Sequence, residues 1–145
     1  MAEQLFQTRV SRSTVGSERA GFWRRFAAAV VDAILLVLVA LPISAAAGMP
    51  MGESVLAQFI VTVISAVYVS VLEGRSGQTL GKRAMGIWVV DADTGGPIGV
   101  SRAVGRWFAR IVSTIPLYLG YLWMLWDREK QTWHDKMAAT VVVPD

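Results

Sequence analysis

The sequence predicts an all-α membrane protein: an antiparallel transmembrane helical hairpin, a third short hydrophobic helix, and a small cytoplasmic β/loop cap. Three observations predict it. Apolar residue types make up 54% of the 145 residues and charged types 17%, against about 25% charged in an ordinary soluble domain. Residues 26–72 carry only two charges, Asp32 and Glu53. Lysine and arginine lie in blocks outside that stretch, five in residues 1–25, five in 73–106 and none in 48–53.

The hairpin rests on two apolar runs, 26–47 and 55–72, of 22 and 18 residues. A helix crosses ~30 Å of hydrocarbon with about 20 residues, in a range of 17–25. Both runs reach that length. The link 48–53 is short and holds Pro50, so the two helices run antiparallel. The lysine and arginine bias puts the N-terminus and the 73–106 segment in the cytoplasm by the positive-inside rule. Residues 1–21 form a polar arm without the apolar core of a signal peptide, so the first span serves as the insertion signal. Residues 22–145 read as one membrane domain.

The third hydrophobic segment covers about 107–126, with an apolar run of 16 residues, 111–126, that contains Pro116 and Gly120. That length is marginal for a straight crossing. A full crossing would put the basic tail, with Arg128, Lys130 and Lys136, outside. A re-entrant path would keep it inside, and the charge bias leans that way. Ser101 reads as an N-cap, followed by Arg102, Arg106 and Arg110 at spacing four, one stripe of an amphipathic helix able to lie on an anionic leaflet. Trp23, Trp107, Trp123 and Trp126 sit near the ends of apolar runs, as interfacial aromatics do.

Two short strands complete the cap. Ile87, Trp88, Val89 and Val90 are strand formers, and Asp93-Thr-Gly-Gly-Pro97 is turn chemistry. Thr140 to Val143 is the second strand candidate. Pairing of the two would satisfy backbone groups that neither satisfies alone, and it requires both on one side of the membrane.

The residue inventory excludes several chemistries. There is no cysteine and one histidine, so disulfides, thiolate or multi-histidine metal sites and thiol nucleophiles are ruled out. The loop residues Gly77, Thr79, Gly81 and Lys82 resemble a phosphate-binding loop, but the pattern needs glycine at 76, which is Ser76, and Ser or Thr at 83, which is Arg83. They read instead as a polar cytoplasmic turn with Glu73 and Arg75 at headgroup level. His134-Asp135 lacks a placed nucleophile, and Asp135 reads as a helix cap or a partner for a basic residue of 75–83. The Asp91-x-Asp93 pair is too short for a calcium loop. No catalytic residue, metal, cofactor, nucleotide or nucleic acid is expected.

Asp32 is the most informative position. It follows Arg25 by nearly two helical turns, about 10 Å deeper at ~1.5 Å per residue. A carboxylate there costs about 2.5–3.5 kcal/mol on insertion scales and must find a partner. Arg106 or Arg110 is the expected one, in a buried ion pair that fixes helix docking. The competing reading makes Asp32 an ion- or proton-carrying site.

Taken in order, Arg25-x-x-Ala28-x-x-x-Asp32, Gly77-Gln-Thr-Leu-Gly81-Lys82-Arg83, Gly86-Ile-Trp-Val-Val90-Asp91, Arg106 and Gln131-Thr-Trp-His134-Asp135-Lys136 resemble the RDD family of small bacterial membrane proteins, over about residues 21–143. The family is named for one arginine and two aspartates, and Arg25, Asp32 and Asp135 match by position. The resemblance implies a bacterial inner membrane. Its function is mostly undefined, with cation/proton exchange sometimes attached to it. Two readings therefore stand. One is a non-catalytic accessory, assembly or partner-binding subunit, in contact with membrane lipids and with other integral membrane proteins or copies of itself. Ala29 and Ala33, and Ala66 and Ser70, fall at the spacing of close helix contacts. The other is a homo-oligomeric cation/proton antiporter that uses Asp32.

Overall fold

The computed structural model describes residues 4, 19–49, 52–114 and 119–144. The polar arm, apart from residues 4 and 19–21, lies outside the described residues, as do Pro50 and Pro116. The elements in chain order are helix α1 (Phe22–Ala46), helix α2 (Val55–Ser76), a short helix α3 (Leu80–Ala84), strand β1 (Ile87–Asp91), helix α4 (Gly99–Thr114), a single turn α5 (Leu119–Leu122) continuing as a 3₁₀ turn (Trp123–Leu125), helix α6 (Trp133–Met137) and strand β2 (Thr140–Pro144).

Helices α1 and α2 are each long and apolar enough to cross a membrane. Both start or end beyond the apolar runs. Phe22 to Arg25 already belong to α1, and Glu73 to Ser76 still belong to α2. Ser54 caps α2 by accepting from the Ala57 N–H at 3.3 Å, and Gly77 ends it in the left-handed conformation at φ 69°. The two helices do not rest mainly on each other. Helix α1 packs chiefly on α3, and α2 chiefly on α4. Their outer faces stay apolar and uncovered: Phe26, Ile34, Leu38 and Leu41 on α1, and Val55, Leu56, Phe59 and Val67 on α2.

Strands β1 and β2 form one antiparallel two-stranded sheet, with Ile87 opposite Pro144 and Asp91 opposite Thr140. The two segments that the sequence marks as strands thus pair. Ile87, Val89, Val141, Val142 and Val143 are buried. The sheet sits where α1 begins and α2 ends, because Ala20 N donates to the Val142 carbonyl at 2.8 Å and Val89 N to the Gly77 carbonyl at 2.7 Å. A chain that leaves β1 and returns as β2 has come back to the same end. The axes of Gly99–Thr114 and Leu119–Leu125 meet at 109°, and Gly120 packs so closely on Ser113 that a Cβ there would lie 2.7 Å from its Cα. A bend of that size suits either a broken span or a re-entrant segment.

Helix α4 departs from the sequence expectation in two ways. It begins at Gly99, two residues before the expected cap Ser101. Its arginine stripe also faces inward. Arg106 is buried while Phe108, Ile111 and Val112 are exposed. In a bilayer the apolar side meets lipid, and the guanidiniums find carboxylates inside the protein, so the stripe is not a leaflet-binding face.

Close approach of backbones sets one packing distance. A Cβ added to Gly74 would lie 2.4 Å from the Val100 Cα, so α2 and α4 could keep their crossing only with glycine there. Gly105, on the same α4, has open space around it. Gly74→Ala should lower stability by about 1–3 kcal/mol through overpacking. Gly105→Ala should leave it equal or raise it by up to ~1 kcal/mol, from helix propensity. Thermal loss of the folded monomer in detergent checks both.

Candidate functional site

Two groups of buried polar and charged residues gather at the end of the molecule that carries the sheet. The first surrounds Asp32, which is 8% exposed. Its Oδ1 accepts from the Tyr68 hydroxyl at 2.9 Å and from the Gly81 N–H at 2.8 Å, and its Oδ2 accepts from the Thr79 hydroxyl at 2.5 Å. The same shell caps α3. Leu80 N donates to the Tyr68 oxygen at 3.1 Å, Gly81 N to Asp32, and Lys82 N to the Thr79 oxygen at 3.3 Å. Every N–H of the first turn of α3 is thereby matched by a side chain, and these come from α1, α2 and the loop. A carboxylate at a helix N-terminus is also favoured by the local dipole.

The expected ion pair of Asp32 with Arg106 or Arg110 is not formed. Among the described residues no arginine or lysine lies within ion-pair distance of Asp32. The physical reason is that hydroxyl and amide donors already engage both of its oxygens, while both arginines have carboxylates nearer to hand. Gly81 makes the contact possible: a Cβ there would lie 2.1 Å from the Ala28 carbonyl oxygen and 2.8 Å from the Asp32 Cγ.

The second group is a chain of buried charges. Glu73 and Asp135 are both 0% exposed, and Arg106 is 1% exposed. Glu73 Oε1 binds Lys82 Nζ at 2.6 Å and Arg110 Nη2 at 2.5 Å, and its Oε2 binds Arg106 Nη1 at 2.6 Å. Arg106 then reaches Asp135 through Nη2 and through Nε at 3.1 Å, and its Nε also donates to Thr140 Oγ1 at 3.2 Å. Asp135 Oδ2 binds Arg25 Nη1 at 2.6 Å. Four cations thus share two carboxylates, and the chain links α1, α2, α3, α4 and α6. Arg25 Nε and Nη2 are buried donors without an acceptor, and His134 Nδ1 is buried without a hydrogen-bond partner, among the described residues.

Asp135 has a second task. With Thr132 it forms a capping box on α6, its Oδ2 accepting from Thr132 N at 3.1 Å. It pairs with Arg25 and Arg106, and not with the 75–83 region that the sequence also allows. Burial alone would push its carboxyl up, but Arg25 and Arg106 outweigh that and hold it well below its usual range. Burial pulls Lys82 below its ordinary value, against the pull of Glu73. Burial also holds His134 well below its usual value. It is therefore a neutral ring, with Nε2 3.0 Å from Thr132 Oγ1 and the Tyr121 ring 4.9 Å away.

Sequence reasoning does not find Glu73 as the hub. It places Glu73 at headgroup level and the 77–82 loop as a solvated turn, whereas Glu73, Gly77, Gln78, Thr79 and Gly81 are all buried. The signal is a charge count: Lys82, Arg106 and Arg110 need an acid, and Glu73 is the acid that closes the second apolar run. The remaining arginine of the stripe, Arg102, binds Asp91 and donates to the carbonyls of Ala138 at 2.7 Å and Ala139 at 3.0 Å.

This arrangement meets a known pattern. The model of the RDD family matches residues 19–139. The chain belongs to the RDD family. Its RDD relatives include YxaI of Bacillus subtilis, described as uncharacterized, which is 32% identical over 147 aligned residues, 86% of this chain and 96% of YxaI. A proline-rich antigen homolog of Mycobacterium tuberculosis is 39% identical over 72 residues, half of this chain and 30% of that protein. The proline-rich antigen of Mycobacterium leprae is 38% identical over 72 residues, 29% of its length. The chain thus spans under a third of the antigens it matches. No solved structure matches it.

The buried charges set the response to substitution and to pH. Glu73→Gln leaves three cations around a neutral group and should cost about 3–5 kcal/mol, the scale for breaking a buried pair. Glu53→Gln, on an exposed residue, should cost nothing measurable in the same detergent melt. Asp91 is lowered from 3.8 to about 2 by the Arg102 hydrogen bond and the N–H groups of Thr94 and Asp93. A carboxyl lowered on folding contributes stability above its unfolded value and loses it as pH falls. Thermal stability should therefore decline between about pH 4 and 2, and Asp91→Asn should flatten that part of the profile.

Proposed function

We propose that this RDD protein is a non-catalytic subunit of the bacterial cytoplasmic membrane. It acts by packing the uncovered faces of α1 and α2 against other integral membrane proteins or against copies of itself. The observation that carries this reading is the division of surfaces. The charged residues of the candidate site are engaged internally, in docking helix to helix, while the two apolar helices leave their outer faces open. Ala29 and Ala33 are exposed on α1, at the spacing of close helix contacts. Two apolar helices that touch each other little cannot by themselves enclose a path for ions.

The lysine and arginine distribution favours a cytoplasmic N-terminus. With the sheet at that same end, the third segment dips and returns, and the tail is cytoplasmic too. A second reading, a homo-oligomeric cation/proton exchanger with Asp32 as carrier, gains one supporting observation: no guanidinium holds Asp32. Against it stands the closed shell of donors around that carboxylate, which would have to open at each cycle.

One pair of measurements separates the two. The protein is purified in mild detergent and the retained proteins are identified by mass spectrometry. It is also placed alone in vesicles and assayed for cation-driven proton flux. The subunit reading predicts a specific membrane partner or a stable homo-oligomer, weakened by Ala33→Leu, and no flux. Flux in the wild type that disappears in Asp32→Asn would overturn it.

A further inference from the structure

A second polar feature lies outside the buried network. Beside the start of α1 is an open pocket of about 340 Å³, lined by Arg19, Gly21, Arg24, Arg128, Lys130 and Pro144 among others. That volume falls within the roughly 300–1,000 Å³ of small-ligand sites. Four of its lining residues are cations, drawn from two segments far apart in sequence. Among the described residues one carboxylate meets them: Glu129 accepts from Arg19 Nε at 3.1 Å and Nη2 at 2.8 Å. Arg24, Arg128 and Lys130 form no ion pair among the described residues.

The helix that starts in this pocket adds to the field. The N-cap of α1 is Gly21, with no side-chain cap and no acid in the first turn, and the space beside Gly21 is open. A 25-residue helix thus brings its positive end, with no side-chain cap among the described residues, to the same pocket. Cationic side chains and a bare helix N-terminus together suit a phosphate group. What continues away from the pocket is apolar. Trp23, 76% exposed, and Phe26 follow on α1, with Val30 and Ile34 one and two turns further along.

We propose that this pocket binds the phosphate of an anionic phospholipid, with the acyl chains lying along the exposed apolar face of α1. Arg24 and Arg128 hold the phosphate from two sides, and Trp23 sits at the junction of headgroup and chain. The assignment rests on α1 crossing the bilayer, a step that release of the protein from membranes by detergent alone checks separately.

Native mass spectrometry of the full chain in a neutral detergent tests the proposal, because no surface potential acts there. The probes are phosphatidylglycerol, phosphatidylcholine and inorganic phosphate. The wild type should retain one phosphatidylglycerol in preference to phosphatidylcholine. Arg24→Gln/Arg128→Gln should weaken that retention by on the order of 10-fold or more, since a direct hydrogen bond to a charged group is worth about tenfold or more in affinity. Arg75→Gln/Arg83→Gln removes the same charge from two other exposed positions and should retain the lipid. Equal retention of the two lipids by the wild type would overturn the proposal without any variant, and so would equal weakening in the two double variants. Displacement of phosphatidylglycerol by millimolar inorganic phosphate would overturn the lipid assignment and leave a free-anion site.

Discussion

The structure depends on the buried pairing of Glu73, Arg106 and Asp135. Each lies where an isolated charge would be strongly unfavourable, and each is tolerated only because the others are there. Glu73 closes α2, Arg106 sits mid-way along α4, and Asp135 opens α6, so satisfying the charges fixes three helices at once. Arg25 extends the constraint to α1 and Lys82 to α3. The apolar helices contribute little to this docking, since they touch each other over a small area. In a bilayer, where lipid tails are as apolar as leucine, that is the expected division of labour: polar pairing and close backbone packing specify the arrangement, and apolar area specifies only the solvent.

Asp32 solves a different problem. Helix α3 is five residues long and has too few internal hydrogen bonds to stand alone. Its N-terminus is completed by Asp32 from α1, Tyr68 from α2 and Thr79 from its own loop. The carboxylate is thereby satisfied without a counter-charge, and α1 is tied to α2 through a wedge of polar backbone rather than by direct helix packing. Arg25 and Asp135, which the sequence singles out together with Asp32, meet in an ion pair. Asp32 belongs to this separate cap.

Much of the architecture is legible in the sequence because it follows from length, hydropathy and period. Two apolar runs of spanning length become α1 and α2, and the valine-rich segments near 87–90 and 140–143 become the sheet. The polar contacts are less legible for a physical reason. Spacing along a helix reports which residues share a face, but not whether that face looks inward or outward. The stripe of Arg102, Arg106 and Arg110 is visible in sequence, yet a lipid solvent inverts the usual rule and turns it toward the interior. Likewise the Gly77–Lys82 loop reads as a surface turn, because nothing local shows that Gly81 lacks room for a side chain against Ala28. Asp32 stands out in sequence as a buried carboxylate in need of partners; that those partners are a hydroxyl pair and a backbone amide emerges only from the fold.

The central claim is that the arginines belong to Glu73 and Asp135 while Asp32 belongs to the α3 terminus. Double-mutant cycles on unfolding in detergent test it most directly. Asp32→Asn combined with Thr79→Val should show a coupling of about 0.5–3 kcal/mol, and Asp32→Asn combined with Arg106→Lys should be additive within about 0.5 kcal/mol. Strong coupling of Asp32 to Arg106, with none to Thr79, would contradict the account.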